Sequence, residues 1–410
     1  MGRRQLDEAL RAELMSLAAA GSLKGRETVF AGVVRASGGN GPRYLLQGEG
    51  ARPFLRMNSN GYLGMALRPE VIRAEEAAVR ACGTGPGAVR FISGTWEAHV
   101  ALEERLAAFH NREAAMIFSS AYATVMGVLP PLIGDETAVI SDELNHNCII
   151  NAMRLARPKE KHVYRHLDLA ELESCLTTAA KTCRRAIVVT DGIFSMRGDH
   201  APLGDIVALA RRFDDAFAEG VLVVADDSHG VGAIGATGRG TEEHAGGEPV
   251  DLLVATLGKA LGVNGGYVAG SRTILDYLRE KSPFYIYSNP ITPGEAAAAA
   301  TSLDILDSKD GIALLRHLRA MTARFEAGLG RLGLETIPGP HPVVPLMVRD
   351  TGRTAALVAH LRAHGVLATA ITYPVVPRGE EEIRFQVSAD HTASDIDAVL
   401  DILSAAPEAG

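Results

Sequence analysis

Apolar residues recur at helical spacing near the start of the chain. Leu6, Leu10, Leu14 and Leu17 share one face of a helix predicted over 3–20. A glycine-rich polar stretch follows, and residues 1–50 read as an N-terminal arm. From Arg68 onward the texture alternates. Helical periodicity runs over 70–82 and 97–110, the second with Leu102, Leu106 and Phe109 on one face. Short apolar runs at 115–118, 138–140, 186–190, 221–225, 252–255 and 267–269 read as strands. They are rich in Val and Ile and show no polar alternation. Such strands are buried on both faces, which predicts an α/β fold with a mostly parallel sheet covered by helices. The gap between Lys259 and Tyr267 is too short for a crossover helix, so the last strand is expected antiparallel.

Past Pro293 the pattern changes. An Ala-rich helix over 295–306 leads into a second helix carrying Leu314, Leu318, Met321, Phe325 and Leu329. Strand 343–348, helix 353–364, strands 366–371 and 383–387 and helix 394–403 complete a small α+β unit. The expected division is an arm at 1–50, a large domain at 51–295 and a small C-terminal domain at 296–410.

Composition narrows the function classes. Apolar residues make up 47% and charged residues 22% of the 410, which is ordinary globular chemistry. The formal net charge of −8 disfavours nucleic acid or an anionic membrane as partner. The 43 glycines against 11 Phe, 9 Tyr and 1 Trp suit an enzyme with tight strand-to-helix turns. Cys82, Cys148, Cys175 and Cys183 form no CxxC pair, which points to a reducing compartment. No apolar h-region opens the chain and no 18-residue apolar window could span a bilayer, so a cytoplasmic protein is expected. A bound metal is not expected.

Two segments carry chemistry. In Val221-Leu-Val-Val-Ala-Asp226-Asp-Ser-His229 a buried strand ends in a carboxylate, where parallel α/β sheets bind ligands. Alone, it reads equally as a capping Asp and a surface His. In Thr256-Leu-Gly-Lys259 the next apolar strand runs into a Gly-flanked lysine, which alone reads as a solvated side chain. The pair says more. Asp226 and Lys259, 259 − 226 = 33 residues apart, end consecutive predicted strands. Pyridoxal phosphate needs a lysine for its aldehyde and an acid at its pyridinium nitrogen. Phe118-Ser-Ser-Ala-Tyr122 follows a strand and opens a helix, which suits a phosphate. His146 could stack on a ring, Ser195 could bond a ring oxygen and Arg384 could clamp a carboxylate. Each has a structural alternative.

As a set these segments resemble the α-oxoamine synthase family of fold-type I pyridoxal-phosphate enzymes, over nearly the whole chain. The marks are Ser59-Asn-Gly-Tyr-Leu-Gly64, Val89-Arg-Phe-Ile-Ser-Gly-Thr95 with His99, Ile140-Ser-Asp-Glu-Leu-Asn-His146 and Asp191-Gly-Ile-Phe-Ser-Met196. Further marks are Asp226-Asp-Ser-His229, Gly238-Arg-Gly240, Thr256-Leu-Gly-Lys259, Tyr287-Ser-Asn289, Tyr373-Pro-Val-Val-Pro377 and Arg384-Phe-Gln-Val-Ser388. The segments at 287–289 and 373–377 are most similar to the 2-amino-3-oxobutyrate CoA ligase (glycine C-acetyltransferase) branch.

The resemblance implies that Lys259 carries the cofactor, Asp226 pairs with its ring nitrogen, His229 and Ser195 contact its ring oxygen, and His146 stacks on the ring. It implies that Ser120, Ala121, Tyr122 and Thr256 hold the phosphate. Ser288 and Asn289 would reach into the neighbouring subunit of a homodimer with shared active sites. Asn60 and Arg384 would bind the amino-acid carboxylate. The implied reaction joins a small amino acid, glycine favoured, to an acyl-CoA through a quinonoid carbanion, with or without decarboxylation. A different carbon electrophile, an aminotransferase or a C–C lyase on the same scaffold remain alternatives. A cofactor-binding regulator is a third reading, disfavoured by the short arm and acidic chain. Three positions depart from the family pattern: Gly61, Val125 and Arg197. Arg197 reverses the sign of the family's Asp. Facing the acyl-donor channel it would favour an acidic or phosphorylated donor over acetyl-CoA; facing solvent it would change nothing.

Overall fold

The computed structural model describes residues 2–20, 23, 25–373 and 375–406, so Pro374 of the 373–377 segment lies outside them. Among the described residues the strands group into three sheets. Near the N-terminus, β1 (Phe30–Val34), β2 (Arg43–Leu46) and β3 (Pro53–Arg56) pair antiparallel in order. The central sheet holds β4 (Ala114–Phe118), β5 (Thr137–Asp142), β6 (Glu160–Tyr164), β7 (Arg185–Asp191), β8 (Val221–Asp226), β9 (Leu252–Thr256) and β10 (Gly266–Gly270). The C-terminal part adds β11 (Val343–Met347), β12 (Val366–Leu367), β13 (Thr369–Ile371) and β14 (Glu382–Gln386).

The central order is β4-β10-β9-β8-β7-β5-β6. The run from β9 to β6 is parallel throughout. β10 is antiparallel to both its neighbours, as the short gap after Lys259 predicts. Alternate residues of one strand feed opposite helical layers. Ile187 and Val189 pack with residues of helices Ala121–Leu132 and Asn147–Leu155. Val188 packs with residues of helices Leu169–Ala179 and Leu203–Arg212. Burial on both faces explains the unbroken apolar runs. The edge strand β6, Glu-Lys-His-Val-Tyr, has no such run and gave no periodic signal. Charged residues on an edge discourage further pairing.

Helices Pro69–Cys82, Glu97–Phe109, Pro293–Leu306, Thr351–Ala363 and Ala393–Ser404 lie where the spacing predicts them. Proline at the first helical position starts two of them, where its missing N–H costs nothing. Helix Gly2–Ala19 also forms, with its leucine stripe exposed. The strand predicted over 366–371 is two. β12 pairs parallel with β3, while β13 pairs antiparallel with β14. The apolar run is continuous, so nothing in its period marks the change of partner. Among the described residues no helix is long and apolar enough to cross a membrane.

Candidate active site

Parallel strands deliver their C-terminal ends to one edge of the sheet, and the chemistry gathers there. β7 ends in Asp191 and β8 in Asp226, directly paired in register. β5 ends in Asp142, and four residues on His146 caps helix Asn147–Leu155. β9 ends in Thr256, and Lys259 follows in a tight turn. Ser120 caps helix Ala121–Leu132, its Oγ accepting from Ala123 N at 3.1 Å. Lys259, Asp226, His146, His229, Ser195, Ala121 and Tyr122 line one small cavity with Cys148, Asp191 and Ser228.

Electrostatics sets the states of these groups. Burial pushes the Lys259 amine down to about 8, against the pull of Asp226 and Asp191. Burial raises Asp191 well above the carboxylate range, and neighbouring Asp226 raises it further. Asp191 Oδ2 accepts the His146 backbone N–H at 2.9 Å. Burial lowers His146 and lowers His229 well below its ordinary value, with Lys259 and Arg384 adding to the second effect. His229 Nδ1 lies 2.7 Å from the Tyr62 hydroxyl, which burial holds protonated.

The other expected residues fall into two groups. Arg384 Nη2 donates to Asn60 Oδ1 at 3.2 Å, although the two are far apart in sequence. Burial lowers Arg384. The Thr256 hydroxyl donates to Gly265 O at 3.1 Å and accepts Gly258 N at 3.0 Å, so it braces the turn before Lys259. Ser288 and Asn289 do not line the cavity, and Asn289 is exposed. Arg197 is exposed and does not line the cavity, its Nε donating to Asp199 Oδ2 at 3.2 Å. Asp191, Ser228, Cys148 and Tyr62 are parts of the site that sequence reasoning left without a role. Asp191 ends an apolar strand as Asp226 does, so the same signal was there to be used. Tyr62 and Cys148 give no local signal; only packing brings them in.

The family model for class I and II aminotransferases matches residues 52–403. The 8-amino-7-oxononanoate synthase 1 of Bacillus subtilis is 39% identical over 85% of this chain and 87% of its own. That of Geobacter metallireducens is 40% identical over 90% and 92%. Serine palmitoyltransferase from S. paucimobilis, solved with a bound PLP–myriocin aldimine, superposes with a TM-score of 0.85 at 26% identity, covering 97% of this chain and 96% of its own. The chain belongs to the α-oxoamine synthases, fold-type I pyridoxal-phosphate enzymes of the acyltransferase type. The relatives named here are not glycine C-acetyltransferases, so the narrower branch expected from 287–289 and 373–377 gives way to the family.

This α-oxoamine synthase has the donor set that its cofactor needs. Ser228 Oγ is buried with no hydrogen-bond partner among the described residues. Asp226 spends Oδ1 on Ser228 N at 3.1 Å, and the partner recorded for Oδ2 is the Cys148 thiol at 3.7 Å. A buried acid so lightly bonded suits a pyridinium N–H. At the other end, a Cβ on Gly266 would stand 2.3 Å from Ala121 N, so the glycine leaves the helix start open. The first N–H groups of a helix have no partner within it and favour an anion.

Proposed function

We propose that this α-oxoamine synthase joins alanine to an acyl-CoA whose acyl chain ends in a carboxylate. The observation that carries this reading is the set of relatives named 8-amino-7-oxononanoate synthase, 38–41% identical over 85–90% of the chain. That name describes a nine-carbon acid with an oxo group on carbon 7 and an amine on carbon 8. The methyl and amine-bearing carbons correspond to alanine without its carboxylate. The remaining seven carbons correspond to a dicarboxylic acyl unit. Glycine, which the sequence favours, is the second reading.

Pyridoxal phosphate supplies an electron sink for the charge that develops at the amino acid's α-carbon. Lys259 Nζ would hold the cofactor's aldehyde carbon, and its amine is the group that would remove and return the α-proton. An amine brought down to about 8 is well matched to that task near neutrality. Asp226 would keep the ring nitrogen protonated, His146 would stack on the ring, and His229 and Ser195 would bond its oxygen. Ser120, the backbone at Ala121 and Tyr122, and the turn braced by Thr256 hold the phosphate. Arg384, placed by Asn60, binds the substrate carboxylate and so orients the α-carbon. Arg197, exposed and paired with Asp199, carries no argument about the donor. The exposed Phe91, Ile92 and Tyr287 support a homodimer, in which Ser288 and Asn289 serve the partner subunit. The four free cysteines suit the reducing cytoplasm.

The test incubates the holoenzyme with alanine, glycine, serine or threonine and either a seven-carbon dicarboxylic acyl-CoA or acetyl-CoA. Free thiol is the readout. Release with alanine and the dicarboxylic donor is expected. Faster release with glycine and acetyl-CoA would favour the second reading. An amino-acid-dependent change in the cofactor's absorbance without thiol release from any donor would point to a transaminase or lyase.

A further inference from the structure

Cys148 has no part in the reaction outlined above, yet it touches two residues that do. It is the second residue of helix Asn147–Leu155, is 2% exposed and lines the cavity. Its Sγ lies 2.9 Å from His146 Nδ1 and 3.7 Å from Asp226 Oδ2. His146 Nδ1 also accepts the Cys148 backbone N–H at 3.3 Å, so that nitrogen carries no proton. Asp226 Oδ1 is engaged by Ser228 N. The thiol proton is therefore the one available to lie between His146 Nδ1 and Asp226 Oδ2. Burial, with Asp226 and Asp191 close by, raises the thiol's pKa, so the proton stays on sulfur unless it is shared.

We propose that Cys148 is a positioning residue that links His146 to Asp226 and sets how strongly that acid draws on the cofactor's ring nitrogen. The proposal rests on the roles given to His146 and Asp226 above. A thiol is a weak donor, a hydroxyl a stronger one, and a methyl group none. Donation to Asp226 lowers its basicity. The basicity of Asp226 should then rise in the order serine, cysteine, alanine at position 148. The proton affinity of the conjugated lysine-bound nitrogen should follow through the ring.

The experiment titrates the visible absorbance of the holoenzyme for the wild type, Cys148→Ser and Cys148→Ala, and measures cofactor Kd for each. The expected result places the two variants' midpoints on opposite sides of the wild type, each moved by about half a pH unit, with Kd changed by less than about threefold. Midpoints that coincide in all three proteins would overturn the proposal. So would loss of cofactor from both variants with their circular dichroism intact, since Cys148 would then be a packing residue. A wild-type protein that shows no visible band with pyridoxal phosphate would instead sink the functional reading beneath it.

Discussion

Lys259, the proposed cofactor-bearing lysine, illustrates how such a group is made costly to the resting fold. Burial brings its amine from 10.5 down to about 8. A base whose folded pKa lies below its unfolded value leaves the unfolded chain binding more protons between those two values. Stability of the cofactor-free protein should therefore rise with pH from about 8 to 10.5 and carry its full penalty below 8. The penalty is about 3 kcal/mol at most. Lys259→Met should raise the thermal midpoint of the cofactor-free protein at pH 7 while abolishing thiol release; an unchanged or lower midpoint would contradict this. Asp191 and Asp226 stand side by side, and their unequal environments predict unequal roles. Burial and its neighbour favour a protonated Asp191, whose recorded bond is accepted from His146 N. Asn can accept that bond too. Asp191→Asn should retain far more activity than Asp226→Asn, as relative kcat would show.

Among the elements, the turns that follow the strands hold the site together. The turn carrying Ser195 is tied back by His166, whose Nε2 lies 3.1 Å from Asp199 Oδ2 and whose Nδ1 lies 3.1 Å from Asp142 Oδ1. Burial alone would lower this imidazole, but the bonds to Asp142 and Asp199 raise it to about 9. A raised folded pKa stabilises fully below the unfolded value of 6.5, and the gain is lost as pH rises through about 9. The gap in thermal midpoint between wild type and His166→Gln should be widest below pH 6.5 and shrink towards pH 9. A gap that does not vary with pH would rule out the charged tie. The helix start at Ala121 depends on Gly266 in the same way that the Ser195 turn depends on His166. A methyl group at Gly266 meets backbone at Ala121, which a side-chain rotation cannot relieve. Gly266→Ala should weaken cofactor binding by about tenfold or more with secondary structure retained, by fluorescence titration.

In the whole molecule, the exposed apolar groups and the misplaced site residues have a common reading. Phe91 is 63% exposed, Ile92 64% and Tyr287 77%. Large side chains so exposed mark an interaction surface when they cluster. Ser288 and Asn289 adjoin Tyr287 and do not serve the cavity of their own chain. A second copy would cover the first group and use the second. Phe91→Asp with Ile92→Asp should convert the protein to monomers in sedimentation and lower kcat, although both positions lie outside the cavity. A dimer that persists would contradict this arrangement.

By itself the sequence determined the layers of the central sheet, the antiparallel β10 and the pairing of Asp226 with Lys259. Those features are written locally, in apolar runs, gap lengths and residues at strand ends. The resemblance added the cofactor and the roles of residues scattered from Asn60 to Arg384. What only the tertiary structure decided are the partnerships between distant segments. The switch of 366–371 between two sheets, the tie of Asn60 to Arg384 and the contact of Tyr62 with His229 leave no periodic trace. Cys148 between His146 and Asp226 depends equally on where a helix start meets a strand end. Such contacts follow from packing over the whole chain, and so do the pKa shifts that prepare Lys259 for chemistry, because burial is a property of the fold and not of any one segment.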